Sequence, residues 1–166
     1  AALPAISATC PDLRYVVVGE GPDLPRLRSL AGELGVLDRV TFTGRLDDAA
    51  VVALYHACDL FLMPSRTTLE PPNVEGFGIS FLEAAACGKP VIGGRSGGIP
   101  DAVIDGITGL LVDPNDPRQI AAAALAVLRD PGYARSLGKA GRERAAGRSW
   151  AAVGTTARAL LAERTR

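Results

Sequence analysis

The sequence is poor in several residue types that carry chemistry. Among 166 residues it has one histidine (His56), one methionine and three cysteines (Cys10, Cys58, Cys87), and its eighteen basic side chains balance eighteen acidic ones. A single histidine rules out a His-rich metal site and argues against a Ser-His-Asp triad within one copy. His56 lies in Tyr55-His56-Ala57-Cys58 at the end of a helical stretch and reads as a surface or boundary residue. Three cysteines far apart in sequence suit neither a disulfide framework nor a Cys-ligated zinc site. They read as reduced thiols of a cytoplasmic protein. Aromatic residues make up 5%, too few for stacking on single-stranded nucleic acid, and a net charge of zero gives no bulk attraction to a polyanion. No nucleic-acid partner is expected. No apolar run approaches the ~20 residues of a membrane span, and no basic start precedes an apolar run as in a signal peptide.

What remains is a globular composition, 48% hydrophobic and 22% charged, in a length that fits one domain with a core of its own. The charge is uneven. Residues 129–166 hold nine basic and three acidic side chains, net +6, so residues 1–128 carry −6. The basic end is either a solvated helical face or a contact with something acidic. That partner could be another part of the same protein, or an anionic membrane, which would place the protein peripherally at the inner face of the plasma membrane.

Short apolar runs alternate with helical patterns. Tyr15–Val18, Val40–Thr43, Leu60–Met63, Pro90–Ile92 and Leu110–Val112 are continuous rather than alternating and each ends at Gly, Pro or Asp, which predicts strands covered on both faces. Helices are predicted from Leu24 (capped by Asp23), after Asp47, from about Gly78 to Cys87, after Asp116, from Pro131, and after Ser149. The alternation predicts an α/β fold, a doubly wound parallel sheet with right-handed crossovers, whose ligands sit beyond the carboxyl ends of the strands. The chain opens in a helical stretch, Ala1 to Ala8, where such a domain opens on its central strand. This predicts a missing piece before residue 1.

Gly19-Glu20-Gly21-Pro22 follows a strand, but the third glycine of a dinucleotide fingerprint is replaced by Leu24, and no P-loop occurs. The richest segment is Glu75-Gly76-Phe77-Gly78-Ile79-Ser80-Phe81-Leu82-Glu83. Its glycines put Glu75 in a loop and Glu83 inside the following helix. The backbone N–H groups near Phe77 to Ser80 form an anion site at the helix N-terminus, and a nearby carboxylate can accept hydrogen bonds from sugar hydroxyls. Those are parts for a phosphorylated sugar compound; a glycine-rich loop with two surface glutamates is the plain alternative. Arg95, in Gly93-Gly94-Arg95-Ser96-Gly97-Gly98, is either a phosphate partner or a solvent-facing residue.

Taken together, Glu75-x7-Glu83, Ala84-Ala85-Ala86-Cys87-Gly88-Lys89-Pro90-Val91-Ile92, Gly97-Gly98-Ile99-Pro100-Asp101-Ala102-Val103 and Asp105-Gly106-Ile107-Thr108-Gly109-Leu110-Leu111-Val112 resemble the donor-binding half of glycosyltransferase family 4. Val18 to Pro22, Val40 to Gly44 and Leu60 to Ser65 match the same family in order, so the resemblance spans essentially residues 1–165. Pro64-Ser65-Arg66 and Val74 to Gly78 resemble the actinobacterial phosphatidylinositol mannoside mannosyltransferases, which use GDP-mannose. Sixteen arginines to two lysines fit a high-GC organism.

The resemblance implies a Rossmann-like domain, the C-terminal half of a GT-B fold lacking its first strand. It implies a single nucleotide-sugar-binding domain over residues 1–166, with the acceptor-binding domain absent. The intact enzyme would be a retaining hexosyltransferase, acting by front-face attack with the leaving phosphate taking the acceptor proton. No cofactor or metal is required by that scheme. Glu75, the candidate catalytic residue, would hold hydroxyls of the donor sugar rather than act as a covalent nucleophile. Backbone groups of Gly76, Phe77, Gly78 and Ile79 would contact sugar and diphosphate, and Glu83 would take the ribose diol. Gly19, Gly21, Gly44 and Arg45 would frame the base, and Ser65 and Arg66 would line the nucleotide pocket. UDP- or ADP-sugars are alternative donors, and a non-catalytic nucleotide-sugar-binding module is an alternative role.

The expected partners are a nucleoside diphosphate sugar, a glycolipid or glycan acceptor held by the missing domain, and a second chain or segment completing the sheet. The family's Arg and Lys that neutralise the departing diphosphate lie in a Gly-Arg-Leu…Lys-Gly segment with no counterpart here. The isolated chain is therefore expected to be inactive.

Overall fold

The computed structural model describes residues 1–70, 72–148 and 150–163. In chain order the elements are α1 (Leu3–Thr9), β1 (Tyr15–Val18), α2 (Leu24–Glu33), β2 (Val40–Gly44), α3 (Asp48–Ala57), β3 (Phe61–Met63), a short antiparallel hairpin of β4 (Thr68–Leu69) and β5 (Pro72–Asn73), α4 (Ile79–Ala86), β6 (Val91–Gly94), α5 (Ile99–Ala102), β7 (Leu110–Val112), α6 (Pro117–Leu128), α7 (Pro131–Ala146) and α8 (Trp150–Glu163). All the predicted strands form; Tyr15–Val18 and Leu110–Val112 keep their predicted bounds, and the other three shift by a residue or two. The hairpin and α5 were not expected.

The strands run parallel, but in two groups. β1 pairs with β2, Tyr15 opposite Val40, while β6 lies between β3 and β7, with Phe61 opposite Val91 and Ile92 opposite Leu110. Among the described residues β1, β2, β3 and β7 each pair with one strand only, so both groups have open edges.

Double coverage holds for only part of the structure. All four residues of β6 are buried, but no residue of β1 or β2 is, and Val16 and Val18 are 41% and 43% exposed. The apolar runs are alike in sequence; what differs is the number of helices that reach them. Along β6 and β7 successive side chains point to opposite faces. Ile92 and Val112 join Ile6, Ile120, Val127 and Leu137 on one face, and Val91 and Leu111 join Phe81, Ala84, Ile99 and Val103 on the other. α7 comes close to the C-terminal end of α4 because Gly138 has no side chain there: a Cβ at that position would lie 2.1 Å from the Gly88 carbonyl oxygen.

Asp47, Asp116 and Asp130 cap their helices, accepting from the N–H of Ala50, Arg118 and Tyr133 at 2.8–2.9 Å. Asp23 does not cap α2. Its backbone is already helical (φ −81°, ψ −9°), so the carboxylate cannot turn onto the first N–H groups and instead accepts from Arg26 Nε at 3.0 Å. Ser149, the predicted cap of the last helix, lies outside the described residues.

Candidate functional site

The loops at the carboxyl ends of the strands are fastened to one another by backbone contacts. After β1, Gly19 takes a φ of +126° and donates its N–H to the Gly44 carbonyl at 2.9 Å, at the end of β2. The N–H of Arg45 reaches Glu20 Oε1 at 3.3 Å. The two loops predicted to frame a base, Gly19 to Gly21 and Gly44-Arg45, thus meet as one unit.

A second set of loops is built around glycines. Beyond β3 the chain passes Pro64-Ser65-Arg66 so close to the end of β6 that a Cβ on Gly94 would lie 2.2 Å from the Ser65 carbonyl oxygen. The Ser96 hydroxyl then accepts the Thr67 N–H and pairs with its hydroxyl, both at 2.8 Å. The β4–β5 hairpin returns the chain to Val74 and Glu75. There Gly98 donates its N–H to the Glu75 carbonyl at 2.9 Å, and a Cβ on Gly98 would lie 2.0 Å from the Gly76 carbonyl oxygen. Glycine at 97 and 98 therefore sets the height of the Glu75–Gly78 loop. Gly78 completes the turn at a φ of +83°, directly over the Phe81 ring, a conformation that side chains rarely adopt.

The Glu75 carboxylate folds back on this turn, and its Oε1 accepts the Gly78 N–H at 2.9 Å. An N–H of the expected anion site is therefore bound by the protein's own carboxylate, as the positive end of a helix favours. Ser65, Arg66 and Glu75 line one cavity of about 470 Å³, together with Asp23, Thr68 and Asn73. An exposed guanidinium and a half-buried carboxylate thus face the same space. Gly76, Phe77, Gly78 and Ile79 form the loop and helix start beside it; Ile79 is half-exposed, and the Arg148 guanidinium lies 5.6 Å over the Phe77 ring.

Glu83 lies outside the cavity lining, four residues past the start of α4, about 6 Å along its axis. Its Oε2 accepts from the Tyr55 hydroxyl at 3.2 Å. Burial and the adjacent Glu83 charge hold the Tyr55 hydroxyl well above its ordinary pKa, so it stays a donor. Arg95 is already engaged by the protein, with Nη2 2.7 Å from Asp105 Oδ2 and 3.2 Å from the Leu111 carbonyl oxygen. Burial tends to raise the Asp105 pKa, but the Leu111 N–H and the Arg95 guanidinium outweigh it and hold this carboxyl below its usual value. Among the described residues no group of three or more His, Cys, Asp or Glu side chains is placed to hold a metal ion, and no helix is long and apolar enough to cross a membrane.

Sequence reasoning did not find Asn73, Asp23, Thr68 or Tyr55. Tyr55 reads as one more apolar position of α3, and nothing in its spacing ties it to a glutamate 28 residues on.

The profile of the family described as glycosyl transferases, group 1, matches residues 1–144. A GDP-mannose-dependent alpha-(1-6)-phosphatidylinositol monomannoside mannosyltransferase of Mycolicibacterium smegmatis is 44% identical over 141 residues, covering 85% of this chain and 37% of the relative. The chain thus spans under two fifths of the length of that curated relative. Among solved structures, sucrose-phosphate synthase of Thermosynechococcus elongatus superposes with a TM-score of 0.79 at 36% identity, covering 98% of this chain and 42% of that one. Anabaena HepE in complex with UDP superposes at 0.84 with 25% identity, covering 98% and 44%. On sequence and fold alike, this chain belongs to the group 1 glycosyl transferases.

Proposed function

We propose that the chain is the donor-binding part of a retaining glycosyltransferase that moves mannose from GDP-mannose to an acceptor hydroxyl. One observation carries the reading. Glu75 is folded onto the Gly78 N–H, at the cap before α4, and lines the cavity that Ser65 and Arg66 also line. A diphosphate at that helix end would meet backbone N–H groups and the Arg66 cation, and a sugar attached to it would lie beside the Glu75 carboxylate. The likeness to mannosyltransferases named for GDP-mannose supports the choice of donor.

In this reading Glu75 is the residue nearest the chemistry and binds sugar hydroxyls. Gly76, Phe77, Gly78 and Ile79 supply backbone contacts, Glu83 takes the ribose diol, and the tied loops of Gly19, Gly21, Gly44 and Arg45 hold the base. The acceptor, a glycolipid or glycan, belongs to a part of the enzyme outside these residues, and no metal enters the scheme. Stabilising charge on the departing diphosphate is the largest electrostatic demand of the reaction, and Arg66 is a cation on the cavity wall placed to contribute to it. The protein works in the cytoplasm, and the basic stretch from Arg129 onward suits contact with an anionic membrane face.

HepE, whose structure holds UDP, favours a second reading with a UDP-sugar donor. A thermal-shift panel with GDP, GDP-mannose, UDP, UDP-glucose, ADP and NAD separates the two, since a ligand that binds only the folded state raises its stability. A rise confined to GDP and GDP-mannose is the expected result. A rise confined to UDP compounds replaces the donor, and no rise with any nucleotide overturns the proposal.

A further inference from the structure

Glu83 carries a flexible, exposed side chain, and a carboxylate that must accept two hydrogen bonds from one diol has to be held still. Rotamer freedom lost on binding weakens the contact unless it is already restricted in the free protein. The structure supplies a brace from another helix. Tyr55, half-buried on the last turns of α3, packs edge-on against Phe61 at 5.6 Å and 73°, and Phe61 packs edge-on against Phe81 at 5.4 Å and 79°. Phe81 is 1% exposed and also fills the space beneath Gly78 and Gly93. The Tyr55 ring therefore stands at the outer end of a stack of three aromatic rings rooted in the core, and its hydroxyl reaches Glu83 Oε2 at 3.2 Å. The same Phe81 supports the turn that presents Glu75.

We propose that Tyr55 is a positioning residue for the nucleotide: its hydroxyl anchors Glu83 Oε2 and leaves Oε1 aimed outward to accept the ribose diol. The inference rests on the reading of Glu83 as the ribose ligand, and the experiment keeps the two apart. Tyr55→Phe removes the hydroxyl and keeps the ring on Phe61, so the stack survives. Affinities of the whole chain for GDP and for 2′,3′-dideoxy-GDP are measured by calorimetry in the parent, Tyr55→Phe, Glu83→Ala and the double variant.

The expected result is a loss of about threefold to tenfold for GDP in Tyr55→Phe, no loss for the dideoxy nucleotide, and no further loss when Tyr55→Phe is added to Glu83→Ala. An equal loss for both nucleotides makes Tyr55 merely structural and overturns the proposal. Unchanged GDP affinity in Tyr55→Phe, with a selective loss in Glu83→Ala, also overturns it while keeping Glu83 as the ribose ligand. If Glu83→Ala itself does not distinguish the two nucleotides, the ribose reading fails and the proposal falls with it. Glu83→Gln, which keeps an acceptor for Tyr55 without the charge, covers the case where the alanine variant does not fold: selective loss of GDP affinity supports the ribose ligand, and its absence overturns it.

Discussion

Glu75 and Glu83 share a motif and do different work. Glu75 touches the helix start at the cavity, so Glu75→Ala should weaken a sugar nucleotide more than the bare nucleotide. Calorimetry with GDP-mannose and GDP checks this, and equal losses would remove its sugar-facing role. Glu83→Ala should cost about 1–3 kcal/mol of nucleotide affinity. The glycines that set the loop height make a different prediction. Gly98→Ala pushes a methyl into the Gly76 carbonyl, so we expect about 1–3 kcal/mol of destabilisation together with weakened donor binding, read by denaturant melts and titration.

Asp105 offers a pH test. Its folded pKa lies below the unfolded value, so its contribution is complete above the usual carboxylate range, about pH 4, and is lost as the pH falls through the folded value. The melting-temperature gap between the parent and Asp105→Asn should therefore close on acidification below about pH 4. A constant gap down to pH 2 would contradict the assignment. At this scale the sequence was informative about residue types and silent about partners. Glu75 and Gly78 were legible because a glycine-flanked carboxylate before a helix allows few arrangements. Tyr55 was not legible, because its partner lies on another helix.

Elements were most legible where a local rule decides them. Asp47, Asp116 and Asp130 precede helices in extended backbone, and each caps; Asp130→Ala should cost about 0.5–2 kcal/mol in a chemical melt, with an unchanged midpoint as the contrary result. Asp23 looked the same in sequence and failed because α2 begins with Asp23 already in helical geometry. The β4–β5 hairpin escaped notice because its strands are two residues long, too short for any periodicity, and one of them begins with proline. Its position is nonetheless decisive, since it returns the chain from Arg66 to Glu75 across the cavity. β6 was read as a doubly covered strand and is one, so Ile92→Ala should cost about 2–5 kcal/mol.

For the molecule as a whole, the pattern of runs indicated a parallel α/β fold, but not how unequally its two halves are packed. β6 and β7 share a core with α1, α4, α5, α6 and α7, whereas β1 and β2 bury none of their residues. Amide hydrogens report such inequality directly, because each exchanges at the free energy of the smallest opening that frees it. The amides joining β6 to β7 should exchange only on global unfolding, whereas those joining β1 to β2 should exchange through a much cheaper local opening. Saturating nucleotide, if Gly19 and Gly44 help to hold its base, should slow exchange in the weaker half most, so that the ligand completes the cooperativity the apolar packing leaves unfinished.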